Sequence, residues 1–348
     1  MKARCGSLAG LAGLLLFCIG SPALASEPRV EDTVGSGKAT PLRLVAIGDS
    51  VMWGQGLSEG HKATKLVQKW LAEKLSRRVT RAVHAQSGAE LRAHPTHGGL
   101  HSSEIPSSLP TIGAQLEEVR NPHTVDVVML NGCINDFEGE RILGGNSSKA
   151  DISQRASKKC YGAVKSLLEQ AALRFPNAVI VDVGYYPLFT KNPSGFLAAT
   201  TFLEVQNLWC EHNCFNMDLD LKGRSRAFYD ASNAAIEKAV GEVSAANHGR
   251  KILFAKWPYS EAGGYGSSQS QVWSITDKDD VQFQRIPECV KLFEKTKSWR
   301  YATYCNKAAT LHPNHRGAQV MATAVEDALK PYLATLQRHP RVHLNIAK

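Results

Sequence analysis

Polar and apolar positions along this chain follow two regimes. Five short runs are apolar almost throughout: "LRLVAI" (42–47), "VTRAVHA" (79–85), "VDVVML" (125–130), "AVIVDV" (178–183) and "KILFA" (251–255). Runs of this length, rich in Val and Ile, predict strands with both faces covered. Between most of them, apolar residues recur at helical spacing. Leu66, Val67, Trp70 and Leu71 form one stripe, 228–243 carries another, and Met321, Val325, Ala328 and Leu329 form a last one. Strand–helix alternation predicts an α/β fold around a central parallel sheet of about five strands. Right-handed crossovers then bring every strand's carboxyl end to one edge of the sheet.

Two stretches break the rhythm. Residues 92–111 are rich in His, Gly, Pro and Ser, and 256–310 is mixed in character. Both read as long loops, a feature that in compact domains often serves function. Residues 26–41 are polar and read as a loose leader. "GSGKAT" within it fails as a phosphate-binding loop: Ala39 follows the lysine, Asp32 stands at the first glycine position, and no strand is predicted before it. One domain is expected over 42–335, with 336–348 as a C-terminal tail.

The first 25 residues have their own logic. Lys2 and Arg4 precede an apolar run from Leu8 to Ile19 and then "SPALAS", the order of a secretory signal peptide cleaved after Ala25. The run is short for a membrane span, and Cys18 follows Phe17 rather than the small residue of a lipoprotein site. A soluble protein that is secreted or periplasmic is expected. Loss of Lys2 and Arg4 with the signal lowers the net charge from +9 to +7. The excess is spread along the chain apart from "LSRR", which predicts a solvated basic surface and transient contact with membrane or polysaccharide. No motif points to nucleic acid, and a monomer is expected.

Export changes the meaning of the cysteines. Six follow the signal: Cys133, Cys160, Cys210, Cys214, Cys289 and Cys305. An even number in an exported chain suggests disulfides. Sequence proximity pairs Cys210 with Cys214 and Cys289 with Cys305, which leaves Cys133 with Cys160. A zinc site would need a spacing such as C-x-x-C, and none is present.

The candidate chemistry lies where three predicted strands end. The first runs into "GDSVMWGQG" with Ser50, the second into "HAQSGAE" with Gly88, the third into "NGCINDF" with Asn135. In open α/β sheets ligands bind outside these carboxyl ends. A serine hydroxyl attacks an acyl carbonyl once a base takes its proton. The oxyanion formed needs fixed N–H donors, each worth roughly 2.7–4 kcal/mol. A bare glycine amide and an asparagine carboxamide are such donors. His312, in "HPNHRG", would supply the base.

Taken together these blocks resemble the SGNH, or GDSL-like, hydrolases, a family of serine esterases and lipases. "GDSVMWGQG", "SGA", "GCIND" with Gly132 and Asn135, and "HPNHRG" match in order and span residues 48 to 317. "VGYYPLF", after the fourth strand, resembles a Y-P turn segment of secreted lipases in the family. The resemblance implies a flavodoxin-like three-layer α/β/α sandwich. It implies Ser50 as nucleophile, His312 as base, and an oxyanion hole from the Ser50 amide, Gly88 and the Asn135 side chain, with no cofactor. The G-x-S-x-G signature of the α/β-hydrolases is absent.

One block departs from the pattern. The family commonly reads D-x-x-H, and here the first position is Ala309. The imidazole still needs its Nδ1–H held so that Nε2 faces the serine. A main-chain carbonyl can do this, and that of Ala309 is the favoured candidate; a carboxylate from Asp277, Asp279 or Asp280 is the other. On the carbonyl reading, Ala309→Asp is expected to keep or raise activity.

Plainer readings compete at every position. A serine after Gly-Asp also caps helices; Asp49 and Asp136 suit local backbone bonds; His315 suits a structural or exposed place at a helix start. His94, His97 and His101 sit in a Gly-rich loop, and no metal is expected there. Trp53, Tyr185 and Tyr186 are candidates for a substrate pocket, though aromatic residues there pack cores as often. Cys133 suits a disulfide that steadies the oxyanion segment. The expected function is an exported serine esterase or lipase acting on small-molecule or lipid esters through an acyl-enzyme. The alternatives are an acyltransferase, a carbohydrate or phospholipid esterase with the same site, and a non-catalytic binding protein on this scaffold.

Overall fold

The structure is a computed structural model and describes residues 29–91, 104, 110–143, 147–192, 220–247 and 251–338. The signal segment, Cys210, Cys214, His94, His97 and His101 lie outside these residues. The strands are β1 (Val30–Val34), β2 (Leu42–Ile47), β3 (Val79–Val83), β4 (Val127–Leu130), β5 (Val179–Val183) and β6 (Lys251–Ala255). The helices are α1 (Ser50–Trp53), α2 (Ala63–Leu75), α3 (Ile112–Glu118), α4 (Ile134–Phe137), α5 (Lys149–Arg174), α6 (Leu221–Ala246), α7 (Gln282–Thr296), α8 (Trp299–Asn306), α9 (His315–Leu329) and α10 (Leu333–Arg338).

The sheet runs β1-β3-β2-β4-β5-β6. β2 to β6 are mutually parallel, and Ala46 of β2 lies opposite both Val83 and Met129. Numbered from β2, those five strands read 2-1-3-4-5, the flavodoxin-like order whose direction reverses at β2. β4 and β5 are buried along their whole length, as expected of strands with helices on both faces. α5 packs on α6, and α2 packs on α9. Val67, Leu71 and Leu75 form the buried stripe of α2, and Met321, Ala322, Val325 and Leu329 that of α9.

Three expectations need correction. The five expected parallel strands are β2 to β6, but the supposed leader is not all loose: β1 lies within it and pairs antiparallel with β3, Asp32 opposite Arg81, as a sixth strand among the described residues. "VEDTV" is too polar to read as a core strand, and electrostatics seat it. Arg81 is fully buried, so its guanidinium needs acceptors, and Asp32 and Glu59 provide them at 3.1 and 2.8 Å. A strand therefore does precede "GSGKAT", although the loop's residues still fail the phosphate signature. The domain also passes 335: Leu336 of α10 is buried and its carbonyl accepts from Arg77.

The third correction concerns 256–310. Much of it is the helical pair α7 and α8, joined by the Cys289–Cys305 disulfide. α7 keeps Pro287 inside it and turns Phe283, Ile286 and Val290, spaced by three and four residues, outward. Trp299 of α8 is also exposed, its ring centroid 4.2 Å from that of Phe293. The second described disulfide joins Cys133, just before α4, to Cys160 of α5. Cys289–Cys305 matches the pairing expected from sequence proximity, and Cys133–Cys160 the pairing that proximity left over.

Candidate active site

β2 ends in a turn that leaves no room for a side chain. The Gly48 N–H donates to the Gln115 side chain at 2.8 Å, and the same carboxamide donates back to the Gly48 carbonyl at 3.0 Å. A Cβ on Gly48 would stand 1.9 Å from Asn131 Oδ1. This close approach is why glycine precedes Asp49.

Asp49 then caps α1, its Oδ1 accepting from the Val51 N–H at 2.8 Å. The same oxygen accepts from Asn131 Nδ2 at 2.7 Å, and Oδ2 accepts from the Tyr185 hydroxyl at 2.7 Å. The expectation of local backbone bonding for Asp49 is thus half of the picture, since the carboxyl also ties β2 to the ends of β4 and β5. Burial pushes this carboxyl above its ordinary range, against the opposing hydrogen bonds from Tyr185 and Asn131. Ser50 follows as the first residue of α1, where backbone N–H groups have no intrahelical acceptor.

His312 reaches this serine from the far end of the chain. Its Nε2 lies 2.7 Å from Ser50 Oγ, and its Nδ1 lies 3.2 Å from the Thr310 carbonyl. A carbonyl can only accept, so Nδ1 carries the proton and Nε2 offers its lone pair to the hydroxyl. Burial pushes the imidazole down to about 4; the Thr310 and Ala309 carbonyls oppose the shift and the Arg285 charge adds to it. The ring is therefore neutral near pH 7.

The orienting carbonyl is that of Thr310, where the sequence favoured Ala309. The Ala309 carbonyl instead accepts the backbone N–H of His312 at 2.9 Å, closing a turn in which Leu311 takes a left-handed φ of 67°. Leucine rarely adopts that region, so the neighbours must hold it. Trp273 exchanges backbone hydrogen bonds with Leu311 and His312, and the Tyr186 hydroxyl donates to the Leu311 carbonyl at 2.9 Å. The three carboxylates considered have other duties. Asp277 accepts from the Ser274 N–H, Asp279 pairs with Arg285, and Asp280 meets His61 and His315.

Gly88 and Asn135 lie on the loops that follow β3 and β4. Gly88 takes a left-handed φ of 77°, and Gln86, two residues earlier, donates its N–H to the Gly48 carbonyl. Asn135 Nδ2 donates to the Ala89 carbonyl at 2.8 Å, which commits one of its two amide hydrogens. Gly48–Gln86, Asp49–Asn131 and Ala89–Asn135 bonds thus tie three strand ends into one rim. Asp136 accepts from the Leu91 N–H, a backbone partner distant in sequence rather than local.

The aromatic candidates for a substrate pocket are all buried. The Trp53 indole donates to Glu104 at 2.6 Å, and the Lys62 ammonium lies 3.2 Å from its ring centroid. Tyr185 holds Asp49, and Tyr186 holds the His312 turn. Their polar ends bond the protein itself.

Sequence reasoning missed several contributors. Asn131, one residue before the "GCIND" block, had a signal in its position. Gln115, Glu104 and Arg285 had none, because each acts across distant segments. Arg285 is buried and pairs with Asp279 and with Glu104, the latter at 2.9 Å.

No protein-family model matches this chain, and no curated protein sequence matches it. Among solved structures, it is similar to an extracellular lipase from Streptomyces rimosus, with 16% identity and a TM-score of 0.47 over 82% of this chain and 99% of that one. It is also similar to phospholipase A1 from Streptomyces albidoflavus, with 15% identity and a TM-score of 0.45 over 83% and 100% of the two chains. A family two carbohydrate esterase from Clostridium thermocellum, in complex with cellohexaose, shares 15% identity with a TM-score of 0.40 over 86% and 67%.

Proposed function

We propose that this chain is an exported serine ester hydrolase of the SGNH type. The observation that carries the reading is the 2.7 Å contact between Ser50 Oγ and His312 Nε2, with the Nδ1 proton held by a main-chain carbonyl. The pair sits at β2, where the strand order reverses and α/β sheets bind their ligands.

His312 Nε2 takes the Ser50 proton as Oγ attacks the ester carbonyl. The Ser50 N–H, the Gly88 N–H and the second amide hydrogen of Asn135 stabilise the oxyanion. The imidazolium then protonates the leaving alcohol, which leaves an acyl-serine. Water, deprotonated by the same nitrogen, attacks that acyl group and frees Ser50. The substrate class is an ester presented at an apolar surface, which the outward row of Phe283, Ile286, Val290 and Trp299 favours. The disulfides, in a chain that opens with a signal-like segment, support export. No helix among the described residues is long and apolar enough to cross a membrane.

A fluorophosphonate probe tests the reading directly. It is expected to label wild type and to leave Ser50→Ala unlabelled, with hydrolysis of nitrophenyl esters of graded chain length lost in parallel. Absence of label on folded wild type would overturn it in favour of a binding protein. Label with turnover only on addition of an acceptor alcohol would make the chain a transferase.

A further inference from the structure

A second cluster of reactive side chains lies beside the Ser50–His312 pair and takes no part in the proposed reaction. His61 ends a short turn of 3-10 helix, Asp280 precedes α7, and His315 opens α9. His61 Nδ1 lies 3.0 Å from Asp280 Oδ2. His315 Nε2 lies 2.9 Å from each oxygen of the same carboxylate. One ligand atom from each of the three residues falls within 4.8 Å of the others. The two imidazole rings meet edge to face with centroids 4.3 Å apart.

We propose that His61, Asp280 and His315 bind a divalent first-row transition cation of the zinc type, which clamps the segment after the nucleophile to the segment after the base. Two imidazoles and one carboxylate form a three-ligand protein set that leaves a position for water. Imidazole nitrogen selects zinc-type ions, while magnesium and calcium prefer oxygen alone. Metal bonds of about 2.0–2.2 Å in a tetrahedron put ligand atoms roughly 3.3–3.5 Å apart. The 2.9–3.0 Å nitrogen–oxygen separations therefore open by a few tenths of an ångström on binding, while the two imidazole nitrogens, within 4.8 Å of each other, settle to the same spacing. The rings have room for it, since the His61 and His315 side chains are 56% and 50% exposed.

The carboxylate is also braced as metal-bound carboxylates are. The Ser58 N–H and hydroxyl donate to Asp280 Oδ2 at 3.0 and 2.9 Å, and the Asp280 N–H donates to the Gly56 carbonyl at 3.0 Å. Trp273 packs edge-on against His315 with centroids 5.3 Å apart. His315 also lines a groove of about 390 Å³ together with Ser270, Trp273 and Asn314. Ser58 and His61 follow α1, while His315 lies three residues beyond His312. A bound ion would therefore join the two chain segments that carry the Ser50–His312 contact.

The test uses the full mature chain stripped with chelator, and none of its readouts needs turnover. Zinc chloride is expected to bind one to one at micromolar or lower concentration and to raise Tm, while magnesium chloride does neither. Cobalt chloride is expected to give a visible absorption band typical of a low-coordinate nitrogen–oxygen site. His61→Ala and His315→Gln should each weaken binding by at least about tenfold and remove the band. His61 is largely exposed, so its variant is expected to fold even where Asp280→Asn does not. A His94→Ala, His97→Ala, His101→Ala triple variant should still bind. Failure of wild type to bind, or undiminished binding in the His61→Ala, His315→Gln double variant, would reduce the cluster to a shared ion pair and overturn the proposal.

Discussion

The Nδ1 proton of His312 is held by the carbonyl of Thr310, two residues earlier in its own chain, at 3.2 Å. The acceptor at Nδ1 is thus a neutral main-chain oxygen rather than a carboxylate.

The pH profile should show this directly. With the His312 imidazole pushed down to about 4, the base stays deprotonated far into acid. The acid limb of kcat/KM is expected near pH 4 rather than near the ordinary value of about 6.5. A limb at 6 or above would contradict the burial described for the ring.

The same shift makes a stability claim. The folded pKa lies below the unfolded one, so the unfolded state binds the extra proton between about pH 6.5 and 4. Stability therefore falls as pH falls through that window, by an upper bound of about 3.4 kcal/mol. Denaturant titrations of wild type and His312→Gln should diverge in slope across it, with the variant flatter.

Ala309→Asp introduces the carboxylate of the D-x-x-H pattern, and the sequence alone suggested that activity would survive or rise. The structure reverses the expectation. Ala309 is buried with its Cβ against Gly56, where a Cβ would approach it to 2.4 Å and Asp279 to 3.2 Å. An added carboxylate would be buried beside an existing one, which costs several kcal/mol when unpaired. Lower Tm and lower kcat are expected, by thermal melts and nitrophenyl ester kinetics.

Tyr186→Phe removes the donor to the Leu311 carbonyl and leaves a buried acceptor unsatisfied. A cost of about 1–3 kcal/mol is expected. Because that carbonyl belongs to the turn carrying His312, kcat should fall more than KM rises. Equal loss of folding stability with unchanged kcat would make Tyr186 a packing residue only.

Asp182, on β5, is buried, and desolvation pushes its carboxyl up to about 8. Its folded pKa exceeds the unfolded value of about 3.9, so stability falls as pH rises from about 4 to 8. Asp182→Asn should raise Tm at pH 8 by several degrees and leave it nearly unchanged at pH 4. Equal shifts at both values would argue against titration.

β2, β4 and β5 were legible because burial on both faces writes itself as near-continuous apolar runs, and the more polar β3 and partly exposed β6 followed from the strand–helix alternation. β1 was not, since Glu31 and Asp32 interrupt it and the partner of Asp32, Arg81, lies 49 residues away. α7 was obscured by Pro287 and by an apolar row that faces outward. Within the site, Ser50, Gly88 and Asn135 stood in contiguous blocks at strand ends, and His312 stood in a block just ahead of α9. Thr310 was missed because any residue supplies a carbonyl, so only the left-handed turn at Leu311 reveals which one points at the ring. Arg285 and Glu104 were missed because their burial, unlike apolar periodicity, leaves no local trace.

Ser50 and His312 are separated by 262 positions, and α9, which begins three residues beyond the histidine, packs against α2 near the other end of the chain. The pair cannot meet until nearly the whole polypeptide has been made and its last long helix has docked. A partly synthesised chain would hold Ser50 without His312. On the proposed function, activity therefore waits until the fold is finished.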